Sequence, residues 1–163
     1  MNKIDIVKLL PTNPNVKPYP TRTLDKIKYI VIHCADASSC TPTDINRWHT
    51  EERGWAHIGY HYVIAKNGNV YLTNYIATIS NHVANNNTAS IGICLEGAFD
   101  RENLSSKQET ALIELIKFLH EYQAKNVGGT PWAVRGHREF SRVSKTCPGM
   151  NINLDILRLK TNS

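Results

Sequence analysis

The sequence predicts an α/β fold in which a mixed central β-sheet is flanked by helices. Three observations point to it. Two apolar, β-branched runs, residues 26–34 and 90–95, have strand length and no polar face, as strands buried on both sides do. Strand-type residues stand on both sides of Asn67-Gly68, a dipeptide that supplies the positive φ angles of a tight hairpin turn. Helical patterns alternate with these strands, and the connection between the two apolar runs is not a simple crossover, so a purely parallel sheet is not expected. A chain of 163 residues suits one domain, which at that length buries about 70% of its unfolded surface.

The elements follow in order. Residues 1–25 carry PTNPNVKPYP, whose prolines forbid a helix and favour an extended arm lying on the domain surface. The run 26–34 is a central strand with His33 near its C-terminal end. In residues 41–54, Thr41 suits an N-cap, Pro42 the first helical position and Asp44 the first turn. Ile45, Trp48 and His49 share one face, and Gly54 ends the helix. In the hairpin strand GYHYVI, strict alternation would put Tyr60, Tyr62 and Ile64 on one side and His61 and Val63 on the other.

An Asn-rich loop, 79–89, leads to the second apolar strand; loops on a rigid scaffold are common places for binding residues. Residues 105–125 read as the longest helix. Ser105 and Gln108 are spaced as a capping box, and Leu112, Leu115, Ile116, Leu119 and Tyr122 form an apolar stripe. Residues 128–137 read as loop, short strand and then His137, and INLDILRL as a closing helix.

Composition narrows the function classes. The hydrophobic fraction of 41% and charged fraction of 20% are those of a folded globular chain. No run approaches the roughly 18 apolar residues of a membrane span. Asp5, Lys8 and Pro11 interrupt the N-terminal apolar stretch, so a cleaved signal peptide is not expected. A net charge of +5 suits an acidic partner, but Lys and Arg are scattered and carry no nucleic-acid signature, so nucleic acid is not expected. A monomer is expected.

The four cysteines fit no paired CxxC pattern. Cys34 and Cys40 would close only a short loop, and without a leader free thiols are expected. Cys94 reads as a small buried hydrophobe. Cys147 has unusual neighbours: Lys145 two residues before it, Pro148 after it and His137 ten positions upstream.

His33, His137 and Cys147 stand at strand ends or in the loops that follow. His₂Cys with an open fourth position is a ligand set of catalytic zinc. Spacing alone leaves packed or solvated side chains as the alternative. Pro148 fixes its own φ and biases Cys147 to extended geometry, which suits a ligand loop.

The stretches YIVIHC, INRWHTEERGWAHIGYHYVIAKNGNVY, NTASIGICLEG and RGHREFSRVSKTCPG occur in that order. They resemble the zinc-dependent N-acetylmuramoyl-L-alanine amidases of the type 2 class, which includes phage lysozyme-type amidases and the peptidoglycan recognition proteins. The likeness runs from about Lys28 to Met150. It implies one Zn2+ held by His33, His137 and Cys147, with Tyr60 and Lys145 as catalytic side chains. It implies a single catalytic domain over 26–163, preceded by the arm at 1–25, and bacterial peptidoglycan as partner. The implied reaction is hydrolysis of the amide between N-acetylmuramic acid and L-alanine, by a phage endolysin or other wall-lytic enzyme made in the cytoplasm and acting after release.

His82 matches a position where members often carry a histidine after glycine, although Asn81 stands in place of that glycine; a substrate-side role is expected. Trp55 is expected to line the sugar groove. Glu96, at a strand end, is left out of the catalytic set, and packing or exposure explains His49, His61 and His120.

Two other classes compete. A peptidoglycan-binding module would keep the fold without the chemistry, but such relatives typically lack the cysteine that this chain has at Cys147. A structural zinc domain would need a fourth ligand. The extras are His82 and Cys34, and Cys34 should point away from His33.

Overall fold

The computed structural model describes residues 2–141, 143 and 145–163. The N-terminal segment contributes a two-residue edge strand, β1 (Ile4–Asp5), and then an irregular path with Leu10 buried and Tyr19 donating to the His57 carbonyl. The apolar run becomes β2 (Tyr29–Cys34). Thr41 caps α1 (Pro42–Arg47) through a capping box with Asp44, and a wider turn over Trp48–Glu52 carries the chain to Gly54 at φ +67.

The hairpin strands are β3 (Tyr62–Ile64) and β4 (Val70–Leu72), followed by β5 (Ser90–Leu95), α2 (Ser106–Asn126), β6 (Ala133–Gly136) and α3 (Leu154–Thr161). The six strands form one sheet in the order β1-β4-β3-β5-β2-β6. β2 runs parallel to both β5 and β6, whereas β3 and β4 are antiparallel, so the sheet is mixed as expected. No helix among the described residues is long and apolar enough to cross a membrane.

Alternation along the two central strands separates the faces. Ile30, Ile32, Ile91, Ile93 and Leu95 pack under Leu112, Leu115, Ile116 and Leu119 of α2, forming the larger core. On the opposite face Cys94 and Val63 join Ile45, Ile58 and Leu10, while Val31 joins Val83 and Phe140. All four cysteines are free thiols, with Cys34 and Cys40 in different clusters.

Three local expectations need correction. Tyr60 does not share a face with Tyr62 and Ile64: those two enter the helix-side core, while Tyr60 packs with Val63 on the other side. Period-two alternation holds only within a strand, and β3 begins after Tyr60. At His61 the Thr73 and Asn74 amides both donate to one carbonyl, which disrupts the ladder. In the hairpin turn Gly68 alone takes a positive φ, +88, while Asn67 caps the turn by accepting from the Asn69 amide. At α2 the Ser105 hydroxyl accepts from the Gln108 amide at 3.1 Å, but the Gln108 side chain does not complete a capping box. It donates to the Ile64 and Glu96 carbonyls instead, tying the helix to the ends of β3 and β5.

Candidate active site

β2 and β6 run side by side, and at their C-terminal ends the face away from α2 opens into a cavity of about 710 Å³. His33 enters it as the next-to-last residue of β2, and His137 as the residue after β6. Cys147 arrives on the following loop. The potential ligand atoms of His33, His137 and Cys147 all lie within 4.8 Å of one another. Cys147 Sγ is 3.8 Å from His33 Nδ1. Two ligands at zinc–sulfur and zinc–nitrogen distances with a tetrahedral angle between them would stand about 3.6 Å apart, so donor set and spacing fit a zinc ion.

The Cys147 loop is held from two sides. The Arg138 amide donates to the Cys147 carbonyl at 2.7 Å, and its guanidinium donates to the carbonyls of Gly149 at 2.7 Å and Ile152 at 2.9 Å. From across the cleft the Asp100 carboxylate accepts from the Met150 amide at 2.8 Å and from the Thr146 hydroxyl. The Cys147–Pro148 peptide is cis. Cys34 packs against the helix-side cluster, as alternation expects, and also borders the cavity; the neighbouring Cys34 thiol and burial push the Cys147 thiol far up. A metal cation would reverse that shift by stabilising the thiolate.

Tyr60 also lines the cavity, its ring 5.0 Å from that of His33. Burial pushes its phenol well above the ordinary value, so it stays protonated and can donate. Lys145 is exposed at the rim, and its charge adds to burial in lowering the His137 imidazole. Trp55 lines the cavity beside His49, with the Arg53 guanidinium 5.0 Å from its ring.

His82 lies deeper, only 8% exposed, between His33 and Ser90. Asn81 takes no positive φ, so its loop does not require the glycine of the family pattern. The glycine that matters there is Gly59, where a Cβ would lie 1.9 Å from the Asn81 carbonyl oxygen. Glu96 is occupied structurally, accepting from the Cys40 and Lys66 amides.

Arg138, Asp100 and Asn87 also shape the site, and none of them is singled out by sequence pattern. Asn87 is a loop anchor whose Oδ1 accepts from the His82 and Val83 amides. Arg138 directly follows His137, a proximity that could have drawn attention. Nothing local marks Asp100, which is 46 residues from Thr146 in sequence.

Comparison with known proteins bears on this geometry. The N-acetylmuramoyl-L-alanine amidase family matches residues 23–150. Peptidoglycan-recognition protein SC2 of Drosophila melanogaster is 32% identical over 140 residues, covering 81% of this chain and 73% of that protein. Among solved structures, the Ph2119 endolysin from Thermus scotoductus MAT2119 bacteriophage Ph2119 superposes with a TM-score of 0.79 at 27% identity, covering 98% of this chain and 99% of that one. The N-acetylmuramoyl-L-alanine amidase LysC from Clostridium intestinale URNW gives 0.75 at 25% identity, covering 99% and 98%.

Proposed function

The chain belongs to the N-acetylmuramoyl-L-alanine amidase family, and on that premise we propose that His33, His137 and Cys147 hold one zinc ion while Tyr60 and Lys145 stabilise the charge formed during amide hydrolysis. It is an amidase that acts on bacterial peptidoglycan. The observation that carries the residue assignment is the convergence of two imidazoles and a thiol, from two strand ends and a loop, within 4.8 Å.

Zinc, when bound, supplies Lewis-acid polarisation of the scissile carbonyl and acidifies water to a pKa near 7. The chain's own residues do the rest. The cleft holds the muramyl-peptide with Trp55 offering a face to the sugar, and Tyr60 donates its phenol proton in a hydrogen bond to the oxygen that becomes an oxyanion. Lys145, cationic at the rim, adds electrostatic stabilisation; one such donor is typically worth about 10²–10³ in rate. His33 and His137, kept neutral by burial, leave nitrogen lone pairs available for the metal.

We further propose that 26–163 is one catalytic unit on which residues 1–25 lie as an arm, that the protein works as a monomer, and that it is endolysin-like, reaching the wall after release from the cell that makes it. The basic surface would favour the anionic wall. The test is to incubate purified peptidoglycan with the protein and measure new L-alanine amino termini against new sugar reducing ends. Termini without reducing ends, abolished by chelator and restored by zinc, are expected. A protein that binds the wall in zinc but releases no termini would overturn the catalytic reading.

A further inference from the structure

We propose that His82 is a positioning residue: through a one-way chain of hydrogen bonds ending at the Asn86 carbonyl, it holds the proton of His33 on Nε2 and leaves Nδ1 bare toward Cys147. This rests on the metal reading above and deepens it.

The direction of the chain follows from what each atom can do. A carbonyl oxygen only accepts, so at 2.7 Å from Asn86 O the Ser90 hydroxyl must donate its single proton there. Ser90 Oγ, its proton used, stands 3.3 Å from His82 Nε2 and can only accept, so His82 carries its proton on Nε2. The hydrogen-bonded partners of the His82 ring are Ser90 and His33, neither of them acidic, and the ring is buried, so it is neutral and its Nδ1 is bare. His33 Nε2 lies 3.0 Å from that bare nitrogen and therefore donates. A neutral His33 has one proton, so its Nδ1, 3.8 Å from Cys147 Sγ, presents a lone pair to the cluster.

The surroundings hold the ring at this point. The His82 and Val83 amides both donate to Asn87 Oδ1, at 2.9 and 2.7 Å. The ring lies flat over Gly92 of β5, where any Cβ would stand 2.8 Å from His82 Nδ1. The buried Arg22 guanidinium in turn donates to the Asn87 carbonyl at 2.6 Å and to the Ile76 carbonyl at 2.8 Å, pinning the loop to the segment after β4. A partner that fixes the free nitrogen of a metal-binding imidazole orients it and raises its basicity.

Histidine-selective ¹⁵N labelling of the zinc-free protein tests this directly, with two-bond ¹H–¹⁵N correlations reporting which nitrogen of His33 and of His82 is protonated. Protons on Nε2 of both are expected; a proton on Nδ1 of His33 would overturn the proposal. Zinc affinity by competition with a fluorescent chelator, alongside kcat and KM on a muramyl-peptide, separates positioning from substrate contact. His82→Ala should raise the zinc Kd about 10–100-fold with KM unchanged. His82→Asn, whose amide oxygen can accept from His33 Nε2–H, should recover most of that affinity. Unchanged zinc affinity with a raised KM would make His82 a substrate contact, and an equal loss in the Asn variant would make it a packing residue; either overturns the inference. Wild-type protein that binds no zinc would overturn the metal reading but not the tautomers, which are read without metal.

Discussion

The two faces of the central sheet are built from alternate residues of the same strands, yet they are held together differently. Toward α2, Ile30, Ile32, Ile91, Ile93 and Leu95 meet Leu112, Leu115, Ile116 and Leu119 in a cluster sustained by burial, which is non-directional and tolerant of repacking. On the other face His33, His49, His61 and His82 are buried, and each is placed by hydrogen bonds. His49 Nδ1 accepts from the Gly59 amide at 2.9 Å, and His61 Nδ1 from the Gly92 amide at 3.0 Å, while His61 Nε2 donates to the Thr78 carbonyl. His33 and His82 pair with each other. Buried polar groups cost stability unless they are satisfied, so this face has little freedom to rearrange. One face supplies stability, and the other spends its freedom on geometry.

The sharpest way to break the comparison is at the proposed zinc ligands. Cys147→Ser should lose zinc binding and lower amidase activity roughly 10³-fold or more, with the thermal transition of the zinc-free protein nearly unchanged. A large loss of zinc-free stability would mean that the site also carries the fold. Next, Tyr60→Phe should lower kcat about 10²–10³-fold while stoichiometric zinc is retained by metal analysis. An unchanged kcat would remove Tyr60 from the charge-stabilising set.

Leu115→Ala, on the helix side, should cost about 2–5 kcal/mol in urea unfolding while leaving zinc affinity untouched. Coupling between that substitution and zinc affinity would show that the two faces are not independent. The smallest expected effect is in pH. Burial lowers His49 to about 4 and His61 to about 3, below the ordinary value of 6.5. The unfolded chain therefore binds these protons first: stability is fully present above about pH 6.5 and is lost as pH falls toward 4. Between pH 7.5 and 4.5 each imidazole should remove on the order of 2 kcal/mol from the unfolding free energy, and His49→Gln should flatten the slope by one proton.

Much of the fold was legible because it rests on local rules. The apolar runs at 26–34 and 90–95, the capped start of α1 and the stripe on α2 are statements about period, propensity and neighbouring residues. The candidate site was legible in part, because His33 and His137 stand where strands end and Cys147 lies in the loop that follows. Tyr60 was read as facing with Tyr62 because alternation was carried past the start of β3. Gln108 was read as half of a capping box because its long-range acceptors, the Ile64 and Glu96 carbonyls, have no local signature. Asn87 lies in the Asn-rich loop, and nothing local distinguishes it as the acceptor on which the His82 and Val83 amides converge.

The sequence by itself determined the alternation of strands and helices, the chemistry of the donor set and the family to which the chain belongs, since each depends on residue type and order. Only the tertiary structure decided which nitrogen of His33 faces Cys147, that Asp100 and Arg138 grip the Cys147 loop, and that His82 bridges His33 to Ser90. Those contacts join segments tens of residues apart, and hydrogen-bond direction depends on which acceptor the fold places beside each donor.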